Sequence, residues 1–386
     1  MPIRFLTAGE SHGKGIVVIL EGLQKGLKID KGFIDSELKR RQGGYGRGKR
    51  MSIERDEIEI MSGVRFCETL GSPVAIVVNN KDWVNWQDEM AIFGLRPKKE
   101  GVCCPRPGHA DLAGGLKYNE YDLRNILERA SARETAARVV VGGVCKLFLR
   151  ALGVNIMGHV LSIGRACIDY KAFLDEYDWG RVAGSPVYCM NPNTEKAMIE
   201  EIERARVAKD TLGGVAEVRA MGVLPGLGNH VHWDRKMDGQ LASALMSIHA
   251  IKAVEIGQGI QSVYALGSSV HDAIYYEQEK GFFRKTNRSG GLEGGITTGE
   301  DVVVRTYMKP IATLMTPLDS VHVRTKEPMP AQIERSDVCA VPAMCVVAEA
   351  MVAYVLANAY IEKFGGDYMD ETISNVECYK ARLRLY

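Results

Sequence analysis

Apolar residues recur near helical spacing through residues 120–152, "EYDLRNILERASARETAARVVVGGVCKLFLRAL". Leu123, Ile126, Leu127, Ala130, Ala137, Val141, Val144, Phe148 and Leu152 carry the period, which predicts one helix. Gly142 and Gly143 weaken a helix unless close packing needs them, so this helix is expected to be central and tightly packed. "GFIDSELKRRQGG" (32–44) reads as a short helix ended by glycine, and "EKAMIEEIERARVAK" (195–209) as an amphipathic surface helix. "IRFL" (3–6) and "SPVAIVVNN" (72–80) read as short strands. "VAEVRAMGVL" (215–224) alternates as a half-buried strand should.

Residues 338–362, "VCAVPAMCVVAEAMVAYVLANAYIE", are long enough to span a bilayer. Glu349 interrupts the run and alanine dominates it, while Asp337 is placed to cap it, Pro342 to start it and Gly365–Gly366 to end it. The expectation is a helix buried in a soluble protein. The two apolar helices open with similar text, "LERASARET" at 127 and "IERSDVCAV" at 333, a hint of an internal pseudo-repeat. No Pro/Ser-rich linker or charge block divides the chain, and its 41 glycines are spread along it. The reading is one α+β domain over residues 1–386, a helical core covered by sheets.

Charge changes the picture at one place. Lys and Arg number 49 against 48 acidic residues, a net +1, which argues against a protein that lives on nucleic-acid phosphates. Yet "RRQGGYGRGKR" (40–50) crowds cations among glycines, where backbone N–H groups and forked guanidiniums can grip an anion. Taken alone, the stretch suits a ligand clamp or a solvated, RGG-like RNA contact equally. Nine cysteines, none spaced as a metal site, suit a reduced cytosolic enzyme, and adjacent Cys103 and Cys104 read as buried spectators. The N-terminus lacks the apolar core of a secretory signal.

His12 lies in the turn "TAGESHGKG" (7–15), suited to proton transfer or an incidental loop histidine. In "CCPRPGHADLAGGLKY" (103–118), prolines stiffen the approach to His109, Arg106 stands beside it and Asp111 can orient the ring, unless this is ordinary loop packing. Arg129 and Arg133, four apart, would share a helical face near Ser131, with pairing to Glu128 and Glu134 as the plainer reading. Arg335 and Asp337 stand at the mouth of the late helix, where an Asp is a cap, a base or a base's partner. "KTNRSGGLEGGITTGE" (285–300) and "MKPIATLMTPLDSV" (308–321) suit a flat ring or a phosphate. No Rossmann, Walker A, GxSxG or HExxH motif is present.

"TAGESHG", "LKRRQGGYGRGKRM", "CPRPGHADL", "RASARETAARV" and "ERSDVCAVPA", in that order, resemble the signature segments of chorismate synthases, and the likeness runs from residue 3 to about residue 364. The resemblance implies a tetramer of β–α–β sandwich subunits with antiparallel sheets flanking a helical core. It implies a lyase that converts 5-enolpyruvylshikimate-3-phosphate to chorismate and phosphate by anti 1,4-elimination, the last step of the shikimate pathway towards aromatic amino acids. Reduced FMN is required without net redox change.

Carried over, His12 would protonate the departing phosphate, His109 would protonate the reduced flavin, and Asp337 with the flavin N5 would take the C6 proton. Ser11, Arg41, Arg47, Arg50, Arg106, Arg133 and Arg335 would hold the substrate. Arg129, Ala130, Ser131, His249, Ala250, Gly294, Lys309, Pro310, Ile311, Ala312, Thr313 and Arg335 would line the FMN site. His249 stands where a Gln or Asn is expected, so FMN affinity should vary modestly with pH. At 386 residues the expectation is a monofunctional, cytoplasmic enzyme fed by an external flavin reductase, with NADPH only an indirect reductant. The alternative is a bifunctional form that reduces its own FMN with NADPH. Neither nucleic acid, membrane nor metal is expected as a partner.

Overall fold

The computed structural model describes residues 1–48, 55–95, 101–168, 177–334 and 337–386. The chain opens with strands β1 (Arg4–Ala8) and β2 (Gly15–Glu21), helix α1 (Lys31–Gln42), and strands β3 (Ile58–Ser62) and β4 (Val74–Asn79). The four strands form an antiparallel sheet in the order β1-β2-β4-β3. Period-2 alternation puts Ile16, Val18, Leu20, Ile76 and Val78 in the core. Asp30 caps α1 by accepting from the Phe33 N–H at 3.0 Å, and Gly43 ends it, as its sequence indicates.

Further helices and the second sheet follow. These are α2 (Asp111–Tyr118), α3 (Arg124–Ala130), α4 (Thr135–Ala151), β5 (Asn155–Ile163), β6 (Ala166–Cys167), α5 (Pro192–Val207) and β7 (Gly214–Met221). Then come α6 (Met237–Met246), β8 (Ile251–Ile256), β9 (Val302–Met308), α7 (Val341–Phe364) and α8 (Met369–Leu383). The second sheet is antiparallel in the order β8-β9-β7-β5-β6. α7 packs on β5 and β7 and also on α4, which in turn meets β2 and α1.

The glycine pair explains how closely these helices approach. A methyl group added at Gly142 would lie 2.2 Å from Ala350 Cβ on α7, and one at Gly143 would lie 3.2 Å from Ile34 on α1. Where the three helices meet, Glu37, Lys146 and Glu349 are buried and half-buried Arg40 joins them. Arg40 makes bonds of 2.7 and 2.8 Å to Glu349 and 2.8 Å to Glu37, and Lys146 bonds both carboxylates. Glu349, fully buried, is therefore neutralised inside the protein rather than exposed on a spanning helix. α7 is long and apolar enough to cross a membrane, yet it serves as a buried core helix.

Five expectations need correction. The 120–152 stretch is two helices, because Ser131 is extended (φ −68°, ψ 142°) and accepts from the Arg133 N–H at 3.3 Å, opening a 3-10 turn at Ala132–Glu134 before α4. β7 does not alternate: Val215–Val218 are all buried because both faces of the sheet are covered. Thr306 on β9 turns its hydroxyl to Met344 of α7, while Glu217 faces the other way and meets Arg305, Tyr177 and His159. Asp337 does not cap α7; the cap position is Ala340, though Pro342 lies in the first turn and Gly365 (φ 61°) ends the helix. The two similar openings also differ locally, since Leu127–Ala130 are helical and Ile333–Glu334 are not. α5 starts at Pro192, earlier than its apolar period suggests, because Asn191 caps it.

Candidate active site

The turn between β1 and β2 is anchored on α3. Ser11 N–H donates to the Glu128 carbonyl at 3.1 Å, and His12 N–H donates to Glu128 Oε2 at 2.8 Å. The His12 ring meets Glu128 Oε1 through Nδ1 at 2.8 Å. Arg124 reaches the same carboxylate at 3.1 Å. Burial alone would raise the Glu128 carboxyl, but the bonds from His12 and the Arg124 charge hold it below the usual range. Glu128 thus serves the turn and Arg124, not Arg129 or Arg133. Ser131, exposed by the helix break, donates to Ser11 Oγ at 3.1 Å.

The break also sends the two arginines apart, so they do not share a helical face. Arg129 turns to the Thr7 carbonyl at 2.8 Å and the Gly9 carbonyl at 3.1 Å. Arg133 turns inward to Asp56, at 2.8 and 2.9 Å. Arg41, at the end of α1, bonds Thr135 Oγ1 and the Ala132 carbonyl at 2.9 Å each and stands 3.6 Å from Asp56. Burial, with Arg133 and Arg47 nearby, lowers the Arg41 guanidinium to about 10. Arg47 pairs with Asp337 at 2.6 Å, and the Gly48 N–H donates to the other Asp337 oxygen at 2.6 Å. The glycine-rich basic loop therefore carries Asp337 at its centre. Arg50 and Arg335 lie outside the described residues.

The second histidine has its own carboxylate. His109 Nδ1 lies 2.5 Å from Asp111 Oδ1, and Arg106 bonds Asp111 through its backbone N–H (3.1 Å) and Nε (2.8 Å). Arg106 also reaches Thr313 Oγ1 at 2.9 Å. Burial would raise the Asp111 carboxyl, but these bonds hold it far below the usual range. Lys309 closes over the loop, its ammonium 2.6 Å from the Gly108 carbonyl and its N–H 3.0 Å from the Ala250 carbonyl. A methyl on Gly108 would stand 3.8 Å from Ala312, and the Ile311 carbonyl accepts from Thr211 at 2.8 Å.

The His109 loop, residues 309–313 and Ala250 therefore meet, with Pro310 carried in the same strand exit. Next to Ala250, half-buried His249 feels the charges of Glu134, Arg138, His109 and Arg41, and burial lowers its imidazole below the ordinary 6.5. Its Nδ1 is buried and makes no hydrogen bond. Ala130 ends α3 immediately before Ser131. Gly294 (φ 60°) lies at the tip of the hairpin Leu292–Glu293/Ile296–Thr297. Cys103 and Cys104, with sulfurs 3.9 Å apart, lead into Arg106, and no disulfide joins any of the nine cysteines. Among the described residues no cluster of three or more His, Cys, Asp or Glu is arranged to hold a metal.

Two histidines on buried carboxylates, with several guanidiniums gathered near them, are groups suited to proton transfer and to holding an anion. The sequence model of the family described as chorismate synthase matches residues 3–361. The chain belongs to the chorismate synthase family. It is 55% identical over 386 residues to the chorismate synthase of Moorella thermoacetica, covering 99% of each chain. Identity to that of Thermus thermophilus is 52% over 388 residues, with full coverage of both. A solved structure, "Crystal Structure of Chorismate Synthase", superposes with a TM-score of 0.81 at 42% identity, covering 100% of this chain and 99% of that one. The chain is an enzyme of this family, a carbon–oxygen lyase with a small-molecule substrate.

Sequence reasoning missed Asp56 as the shared counter-ion, Glu128 as the holder of His12, and Trp86, whose ring lies 3.8 Å from that of His12. Asp56 and Trp86 stand in unremarkable text, far along the chain from their partners. Only for Glu128 was there a signal, in its place beside the "RASARET" segment.

Proposed function

We propose that the chain eliminates phosphate from 5-enolpyruvylshikimate-3-phosphate in the anti 1,4 sense, giving chorismate and inorganic phosphate with reduced FMN bound. One observation carries this reading. Arg41, Arg47 and Arg133 gather on two carboxylates, Asp56 and Asp337, beside the Ser11–His12 turn. Guanidiniums that converge at one place suit an anion, and a substrate with a phosphate and two carboxylates supplies one. Arg106, with Arg50 and Arg335, would complete the hold on the substrate.

His12, held through Nδ1 by Glu128, presents Nε2 to donate a proton to the departing phosphate. Asp337, oriented by Arg47 and the Gly48 N–H, accepts the proton lost from C6. His109, held by Asp111 and Arg106, would protonate the reduced flavin.

The residues fit the flavin. The unbonded Nδ1 of His249 offers a buried polar atom to a ligand, and Gly108 (φ 79°) keeps the Lys309 crossing close. Arg129, Ala130, Ser131, His249, Ala250, Gly294, residues 309–313 and Arg335 would hold it. When bound, reduced FMN supplies an electron that the substrate borrows and returns.

The finer architecture we read as a β–α–β sandwich, supported by α4 and α7 packing between the two sheets. A homotetramer is supported by the apolar outer row of the first sheet, where Leu6 (74% exposed) pairs with Ile19 (42% exposed). A cytoplasmic setting, with an external flavin reductase as the source of reduced FMN, completes the reading.

The test is anaerobic chorismate formation, first with chemically reduced FMN and then with oxidised FMN plus NADPH. Product with reduced FMN alone supports a monofunctional enzyme. Product with NADPH alone supports the bifunctional alternative. No product in either arm, from folded protein, overturns the reading.

A further inference from the structure

The His12 ring does not stand against Glu128 alone. Trp86 lies over it with ring centroids 3.8 Å apart and planes tilted 31°. Trp86 is itself tied down, its indole N–H donating to Asp82 Oδ2 at 3.1 Å. Asp82 opens the 3-10 turn Lys81–Asn85, and its N–H donates to the side chain of Asn80, which caps that turn.

Asn80, at the end of β4, is buried and faces the His12 turn. Its Nδ2 donates to the Gly13 carbonyl at 2.8 Å, and its backbone N–H donates to the Lys14 carbonyl at 2.9 Å. Gly13 is the residue after His12. The backbone that carries His12 and the ring that covers it are therefore set by one short segment, Asn80–Trp86.

Trp86 also touches the other cation on Glu128. The Arg124 guanidinium sits over its ring at 5.2 Å and bonds the Glu128 oxygen that holds His12. Glu128 holds the His12 ring at Nδ1 and also the His12 backbone N–H. A flat indole on the ring face adds a restraint on the plane of the imidazole and keeps water from one side. Its electron-rich face also favours a cationic ring. The charged groups facing this cluster are Glu128, Arg124, Asp82, Glu334 and Glu89, the last two reached through Arg124.

We propose that Trp86 is a positioning residue for the proton donor: held by Asp82 and Asn80, it fixes the His12 imidazole so that Nε2 points at the leaving group. This rests on the reading of His12 as the acid. Trp86 acts through His12, so its effect belongs on the rate of turnover and not on substrate affinity.

The experiment is a double-mutant cycle in the anaerobic assay with reduced FMN, using W86L, W86F, H12A and H12A/W86L in the full chain. W86L should lower kcat about 10- to 100-fold with KM changed less than about threefold, and W86F should restore most of the loss. On the H12A background, W86L should cost nothing further, since the ring it holds is gone. Urea midpoints of W86L and W86F should agree, which separates positioning from folding. Three results overturn the proposal: wild-type kcat in W86L, an equal further loss in H12A/W86L, or a loss expressed in KM alone. Absence of chorismate from the wild type would instead strike the functional reading beneath it.

Discussion

Removing Lys146 tests the physics of the core most directly. Its ammonium sits between Glu37 and Glu349, all three almost fully buried, and Arg40 alone would remain to balance two carboxylates. Burial by itself would raise the Glu37 carboxyl, yet Lys146 and Arg40 bring it down from 4.5 to about 2. Breaking a buried pair from one side typically costs ~3–5 kcal/mol, and Arg40 still offsets part of the loss here.

Lys146→Met should therefore destabilise the protein by about 3 kcal/mol at pH 7, read from urea unfolding at one fixed protein concentration. Lys146→Met/Glu37→Gln, which leaves Arg40 on Glu349, should recover most of it. The pH dependence has a definite sign. Glu37 is depressed in the folded state, so its stabilisation is complete above about 4.5 and is lost as pH falls towards 2. Lys146→Met should flatten that acid limb. A cost below about 1 kcal/mol, or a double variant no better than the single one, would refute the reasoning.

Two further outcomes follow from the site. Asp111→Asn removes the charged acceptor that holds both His109 and Arg106, and should lower kcat on the order of 10²-fold as well as lower the urea midpoint, because it leaves buried Arg106 without its carboxylate; full activity with a lowered midpoint would show that the Asp111 bonds are only structural. Burial disfavours the charged form of His249, so FMN affinity measured by fluorescence quenching should be flat above the ordinary 6.5 and change only on the acid side. His249→Asn should abolish that acid-side change, and an unaltered profile would show that His249 does not face the flavin.

The local text of this chain determined a good deal. Pro342 and Gly365 bound the long helix, because each imposes a backbone angle that acts on its immediate neighbours. The glycine pair 142–143 announced close packing, because a bare backbone in a helix is destabilising unless something fills its place. Arginines in glycine loops suggested a grip on an anion, His109 and Asp111 suggested an oriented imidazole, and the ordered segments identified the family.

Tertiary structure alone decided which carboxylate each cation takes. Arg133 and Arg129 look alike in sequence, yet one goes to Asp56 and the other to the Gly9 turn, because an extended Ser131 rotates the chain between them. Asp337 reads as a helix cap but meets Arg47 and Gly48, and Glu349 reads as a flaw in an apolar helix but is closed by Arg40 and Lys146. Trp86 reaches His12 only because Asn80 ties the end of β4 to Gly13. Charge pairing and ring stacking act over a few ångströms of space, while sequence orders residues only along the chain. Partners brought together by folding leave no local pattern to read.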